Sequence, residues 1–142
     1  MAKESKTFSL SDLDATAASA AAFEFEYLNP AGNSTGIFFK VLGGQCEAVT
    51  VEVARLVNDR RRKEAAREVQ RKMGAGKKAV DFETMESDVE FGQRLAAARL
   101  VGWRGISDEW SMENALKLCQ TNRHVAAQIT EQSEEMENFM KN

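Results

Sequence analysis

The sequence predicts an α+β fold, an N-terminal β-hairpin or small sheet followed by a mainly helical domain of about four helices. Three observations carry this. Phe23, Phe25 and Tyr27 alternate with Glu24 and Glu26, the period of two that puts aromatics on one face of a strand and carboxylates on the other. Asn29 to Ser34 is dense in turn formers and leads into the apolar run Ile37, Phe38, Phe39, Val41 and Leu42. Beyond Gly43-Gly44 the apolar residues recur at helical rather than strand spacing.

Residues 1–21 are polar and then Ala-rich, without large side chains to anchor them, and are expected to form a flexible N-terminal segment ahead of a single domain over 22–142. The hairpin spans about 22–43, and its aromatic face must pack on helices, further strands or another subunit, because a lone hairpin is marginal in water. A long helix follows over about 45–73. Val49, Val53, Leu56 and Val57 form its stripe, but helical spacing then meets Arg60, Lys63 and Glu64, so its middle should face solvent. Gly74-Ala75-Gly76 breaks it. The next helix is placed at about 83–103, with acidic residues near its start and Val89, Leu95, Ala96, Leu100 and Trp103 on its apolar face, as the central core helix. Ser111 caps a short helix over about 111–120, whose Met112, Ala115, Leu116 and Cys119 fall at i, i+3, i+4 and i+7. Asn122 caps a last helix over about 122–139.

The net charge of −3 conceals segregation. From Arg55 to Lys78 ten Lys or Arg face three acidic residues, whereas from Ser107 onward seven acidic residues outweigh three basic ones. Such a molecule can attract partners of either sign, including a second copy of itself. Arg60, Arg61 and Arg62 head the basic run. Its i, i+4 pairs mix signs, and it lacks interleaved aromatics or a known nucleic-acid motif, which favours a solvated or protein-binding arm over nucleic acid. No apolar run approaches the roughly 20 residues of a membrane span, and the first residues do not form a secretion signal. Cys46 and Cys119 are isolated, and His124, the only histidine, reads as an ordinary surface residue. With no nucleophile and base in a recognisable pattern, no phosphate loop and no metal-ligand spacing, neither an enzyme nor a cofactor is expected. Trp103 and Trp110 close the end of the core or anchor an interface, and Met112, Met136, Phe139 and Met140 form a soft apolar set near the acidic end.

In order along the chain stand Phe-Glu-Tyr-Leu-Asn-Pro-Ala-Gly-Asn (Phe25 to Asn33), Val-Leu-Gly (Val41 to Gly43), a charged helix, Gly102-Trp103-Arg104-Gly105-Ile106, Trp110-Ser111, Glu113-Asn114-Ala115 and Asn138-Phe139. This order and spacing resembles that of phage tail assembly chaperones, from about Phe23 onward. Cys46 stands where that pattern leads one to expect serine, and Arg123 where a proline often opens the last helix. The resemblance implies a non-catalytic protein of the host bacterial cytoplasm, absent from the mature virion, that coats the tape measure protein and helps the tail tube protein polymerise around it. It also implies a longer frameshifted product, for which Lys141-Asn142 is compatible with a slippery codon pair. Candidate partner-binding residues are Trp103, Trp110, Met112, Met136, Phe139, Met140, Arg60, Arg61 and Arg62. A structural virion protein of the tail or head-tail connector, and a small nucleic-acid-binding protein using the basic helix, remain the alternatives.

Overall fold

The alternation at the start of the hairpin folds as the period of two dictates, with Phe25 and Tyr27 buried and Glu24 and Glu26 on the opposite face. The computed structural model describes residues 7–73 and 88–140. Strand β1 (Phe23–Leu28) pairs antiparallel with β2 (Ser34–Val41), setting Phe25 opposite Phe39. Asn29 fastens the turn between them, its Oδ1 accepting from the backbone N–H groups of Ala31 at 3.0 Å and Asn33 at 2.9 Å.

A third strand, β3 (Leu100–Arg104), pairs antiparallel with the other side of β2 and sets Trp103 opposite Phe39. The sheet order is β1-β2-β3. The sheet and the helices that follow it give the α+β fold expected, but β3 corrects the expected helix over 83–103. That helix, α3, is helical in the described residues only over 88–97; residues 83–87, and the Gly74-Ala75-Gly76 break, lie outside them. Ala96, Leu100 and Trp103 fit helical spacing, yet pairing with the open edge of β2 decides the conformation of the Leu-Val-Gly-Trp segment, whose β-branched and aromatic side chains suit a pleated surface.

Ahead of the sheet lie a 3-10 turn (Ser11–Leu13) and the single-turn α1 (Ala15–Ala18). The expected flexible segment is tied down at its end. Ser19 is fully buried, its carbonyl accepts from Gly43 N at 2.8 Å, and a Cβ on Gly43 would stand 2.5 Å from that of Ser19. Only glycine allows that approach. Leu10 and Leu13, by contrast, are exposed, and residues 1–6 lie outside the described residues.

Helix α2 (Glu47–Lys72) starts where Cys46 Sγ accepts from Val49 N at 3.4 Å, sulfur standing where a serine oxygen commonly caps. Helix α4 (Met112–Thr121) is capped by Ser111, whose Oγ accepts from Asn114 N at 3.0 Å, and α5 (Arg123–Glu134) by Asn122, whose Oδ1 accepts from His124 N and Val125 N at 3.1 Å. The expected last helix over 122–139 is interrupted: Glu135 leaves the helical region at ψ 102°, and a 3-10 turn (Met136–Asn138) follows. That break carries Phe139 back to an edge-to-face contact with Phe23, ring centroids 6.0 Å apart.

The core lies between the inner face of the sheet and the ends of α3, α4 and α5: Phe25, Tyr27, Phe39, Val41, Ala96, Ala97, Leu100, Ala115, Cys119, Val125 and Ile129. One charged side chain joins the pieces around it. Arg99, 9 % exposed, pairs with Glu134 and donates to Ser133 Oγ at 3.1 Å and Leu95 O at 3.3 Å. Ser133 Oγ in turn donates to Leu42 O at 2.7 Å, and Gly44 N to Ser133 O at 2.9 Å. The end of the hairpin, the end of α3 and the end of α5 therefore meet at one satisfied polar cluster.

Candidate protein-binding surfaces

The outer part of α2 is the first surface. Its 26 residues extend about 39 Å at 1.5 Å each, and only Val49 and Leu56 are buried. Asp59 pairs with Lys63 at 3.6 Å and Arg60 with Glu64 at 3.3 Å, as the mixed-sign spacing leads one to expect. Arg60 does more than its neighbours. It also pairs with Asp88, and its guanidinium lies 4.6 Å from the ring centre of Phe91, so it holds α2 against α3. Arg61 and Arg62 are exposed, as are Val69 and Met73 farther out.

A second surface lies between α2, α3 and α4. Leu56, Ala97, Ala98, Met112 and Leu116 supply its apolar walls, and Glu52, Arg55 and Arg94 its rim. Met112 is half exposed there. The depression is shallow, about 70 Å³.

The third surface is roomier, about 190 Å³, and lies between β3 and α4. Trp103, Ile106 and Leu118 are its apolar lining, with Asp108, Asn114, Lys117 and Thr121 around them. Gly105 makes it possible: at φ +89° it turns the chain out of β3, and a Cβ there would collide with Gly36 O. The returning loop supplies Asp108 O, which accepts from Trp103 Nε1 at 2.8 Å and fixes the indole. Asn114 is held by its side-chain N–H bond to Glu109 O at 2.9 Å. Lys117 makes no ion pair among the described residues.

The sequence-derived candidates therefore do not converge. Arg60, Met112 and Trp103 each line a different depression. Trp110 packs half-buried against the core, its indole N–H enclosed without an acceptor among the described residues. Met136 is half-buried with Sδ 3.6 Å from Gln45 Nε2, Phe139 packs on the core, and Met140 is half-buried, so the acidic end spends its apolar side chains largely inside the molecule. The groove residues Ile106, Asn114, Lys117, Leu118 and Thr121 were not among the candidates. A signal for them exists: positions 114, 117, 118 and 121 form a second i, i+3, i+4, i+7 stripe on α4, beside the buried one.

Elsewhere the titratable groups have structural explanations. His124, expected as an ordinary surface residue, is half-buried with Nδ1 3.1 Å from Tyr27 OH and the two rings in contact at 5.6 Å. Burial pushes the Cys119 thiol up to about 11. On the outer face of the sheet, the Arg104 guanidinium, 2.8 Å from Glu24 Oε1, holds that carboxyl below the usual range, and the same guanidinium stacks 3.8 Å over the Phe38 ring. Among the described residues no three His, Cys, Asp or Glu side chains are grouped to hold a metal ion, and no helix is long and apolar enough to cross a membrane. No protein-family model, curated protein or solved structure matches the chain.

Proposed function

We propose that this protein is a phage tail assembly chaperone, acting without catalysis in the host bacterial cytoplasm by reversible binding of the tape measure protein and assisting tail tube polymerisation. The observation that carries the reading is the ordered set of sequence elements from Phe25 to Phe139. Two features of the fold are compatible with it. The outer part of α2 offers apolar side chains, Val69 and Met73, on the same arm as the exposed cations Arg61 and Arg62, which suits helix-on-helix contact with a long helical partner. The β3–α4 groove offers an apolar recess with a polar rim of both signs, Asp108 and Lys117.

The test is composition and solubility. Mass spectrometry of purified virions should find the protein absent, and co-expression should keep the tape measure protein of the same phage soluble. A stoichiometric copy number in the particle would instead make it a tail or connector component. Tight DNA binding that weakens steeply with salt would favour the basic-helix reading.

A further inference from the structure

We propose that the outer edge of β3, which no described strand pairs with, together with the adjoining β3–α4 groove, takes an extended segment of a partner protein as a fourth strand, one whose apolar residues alternate with acidic ones. Neither β1 nor β3 has a partner strand on its outer side among the described residues, but the end of β1 is occupied by a side chain. On β1 the Gln128 carboxamide bonds both main-chain groups of Leu28, donating to the carbonyl at 2.7 Å and accepting from the N–H at 3.3 Å, as a neighbouring strand would. On β3 no described strand pairs with the outer side, and Val101 and Arg104 are exposed. The outer main-chain groups of an edge strand are a template for an added strand.

The groove supplies what an edge alone lacks. The inward side chains of a strand added beside Trp103 enter the space bounded by Trp103, Ile106 and Leu118. At about 190 Å³ it is smaller than the roughly 300 Å³ at which small-molecule sites begin, and suits one large side chain. β3 has five residues, and its register shift leaves Val101 out of the ladder opposite β2. Few main-chain bonds are therefore on offer, and the bulge discourages indiscriminate pairing, so the recess must supply the rest of the affinity and the selectivity.

Charge sets the alternation on the outer face of the sheet, where Lys40 of β2 and the exposed Arg104 of β3 stand and where Glu24 of β1 lies opposite Lys40 and bonds Arg104. The Phe-Glu-Phe-Glu-Tyr of β1 already shows the pattern this sheet accepts on its other side. In the recess itself Asp108 and Lys117 offset each other in sign, and the Trp103, Ile106 and Leu118 walls favour an apolar residue.

Strand addition rests on the reading of the chain as a protein-binding module and not on its partner being a tape measure protein, so its failure leaves virion composition as a separate test of that reading. The probe is a capped heptapeptide of alternating glutamate and leucine, with a control of the same composition ordered for a helix. Binding should slow amide exchange of residues 101–104 at least tenfold and shift Trp103 fluorescence. Arg104→Glu should weaken it at least tenfold, with lysine in place of glutamate in the peptide restoring it. Leu118→Arg should abolish binding while the fold, read from unchanged exchange in β1 and α5, persists. Binding without new protection at β3, or equal binding of the helical control, would mean docking on α4 and overturn strand addition. No binding at millimolar peptide would overturn it too, as would concentration-dependent protection of β3 without peptide, which would mean that a second copy covers the edge.

Discussion

In the sheet, alternate residues are committed to the core; along α2 beyond Leu56 no residue is buried through Met73. Both regions are made of charged residues interleaved with apolar ones, and what separates them is phase. In β1 the period of two collects every aromatic on one face. In α2 the charges Arg60, Lys63 and Glu64 fall on the continuation of the stripe, so burying that face would require three charged groups to lose their water, a cost their ion pairs along the helix do not offset. A charged run thus reads as structure or as projecting surface according to whether it respects the period of its element.

The largest expected effect tests this contrast directly. Phe39 is 1 % exposed and touches Phe25, Tyr27 and Trp103, so Phe39→Ala should cost about 3 to 5 kcal/mol through lost transfer energy and the cavity left behind. Val69→Ala, on the outer part of α2, should stay within about 0.5 kcal/mol. Urea melts with unchanged m values decide it; comparable losses would mean that the arm is packed against something.

Arg99→Ala should come next, at about 2 kcal/mol, because its guanidinium satisfies Ser133, Glu134 and the Leu95 carbonyl in a place where water has little access. Glu134→Gln, which keeps an acceptor on a side chain that is half in solvent, should cost less than Arg99→Ala; the reverse order would show that charge rather than hydrogen bonding holds the cluster.

These two cases mark how far the sequence was legible. The hairpin and the interrupted stripe of α2 are local patterns, and periodicity reveals them. β3 is not local: Ala96, Leu100 and Trp103 suit a helix face equally well, and only the open edge of β2, distant along the chain, selects the strand. Arg99 is opaque for the same reason, since its burial depends on Ser133 and Glu134 arriving from α5. The groove was half legible. Its α4 stripe at 114, 117, 118 and 121 was there to read, but without β3 it faced no visible partner.

Within the basic run the structure divides what the sequence groups together. Arg60→Ala should cost about 1 kcal/mol by releasing Asp88, Glu64 and the Phe91 ring, whereas Arg61→Ala and Arg62→Ala should each stay within about 0.5 kcal/mol. Denaturant melts of the three single variants test the division, and a uniform cost would show that Arg60 gains nothing from α3. Cys119 gives the packed half a pH signature. Its thiol ionises near 9.0 when unfolded and at about 11 when buried, so between those values the unfolded chain binds fewer protons and stability must fall as pH rises. Cys119→Ala should flatten that decline in melts across this window.

A small effect is expected where the two regions meet. Cys46 is 1 % exposed and its sulfur caps α2 at 3.4 Å from Val49 N, a long, weak bond that still occupies a helix-terminal donor with no other partner inside the helix. Cys46→Ala removes the acceptor and should cost about 1 kcal/mol. Cys46→Ser strengthens the acceptor but exchanges a buried sulfur for a hydroxyl whose own hydrogen needs a partner there, two effects of similar size and opposite sign. The net change should lie within about 0.5 kcal/mol, and helical circular dichroism should be retained in both variants. If alanine proves as stable as serine, the sulfur contributes packing alone, and α2 is held at its base by Val49 and Leu56 rather than by its cap.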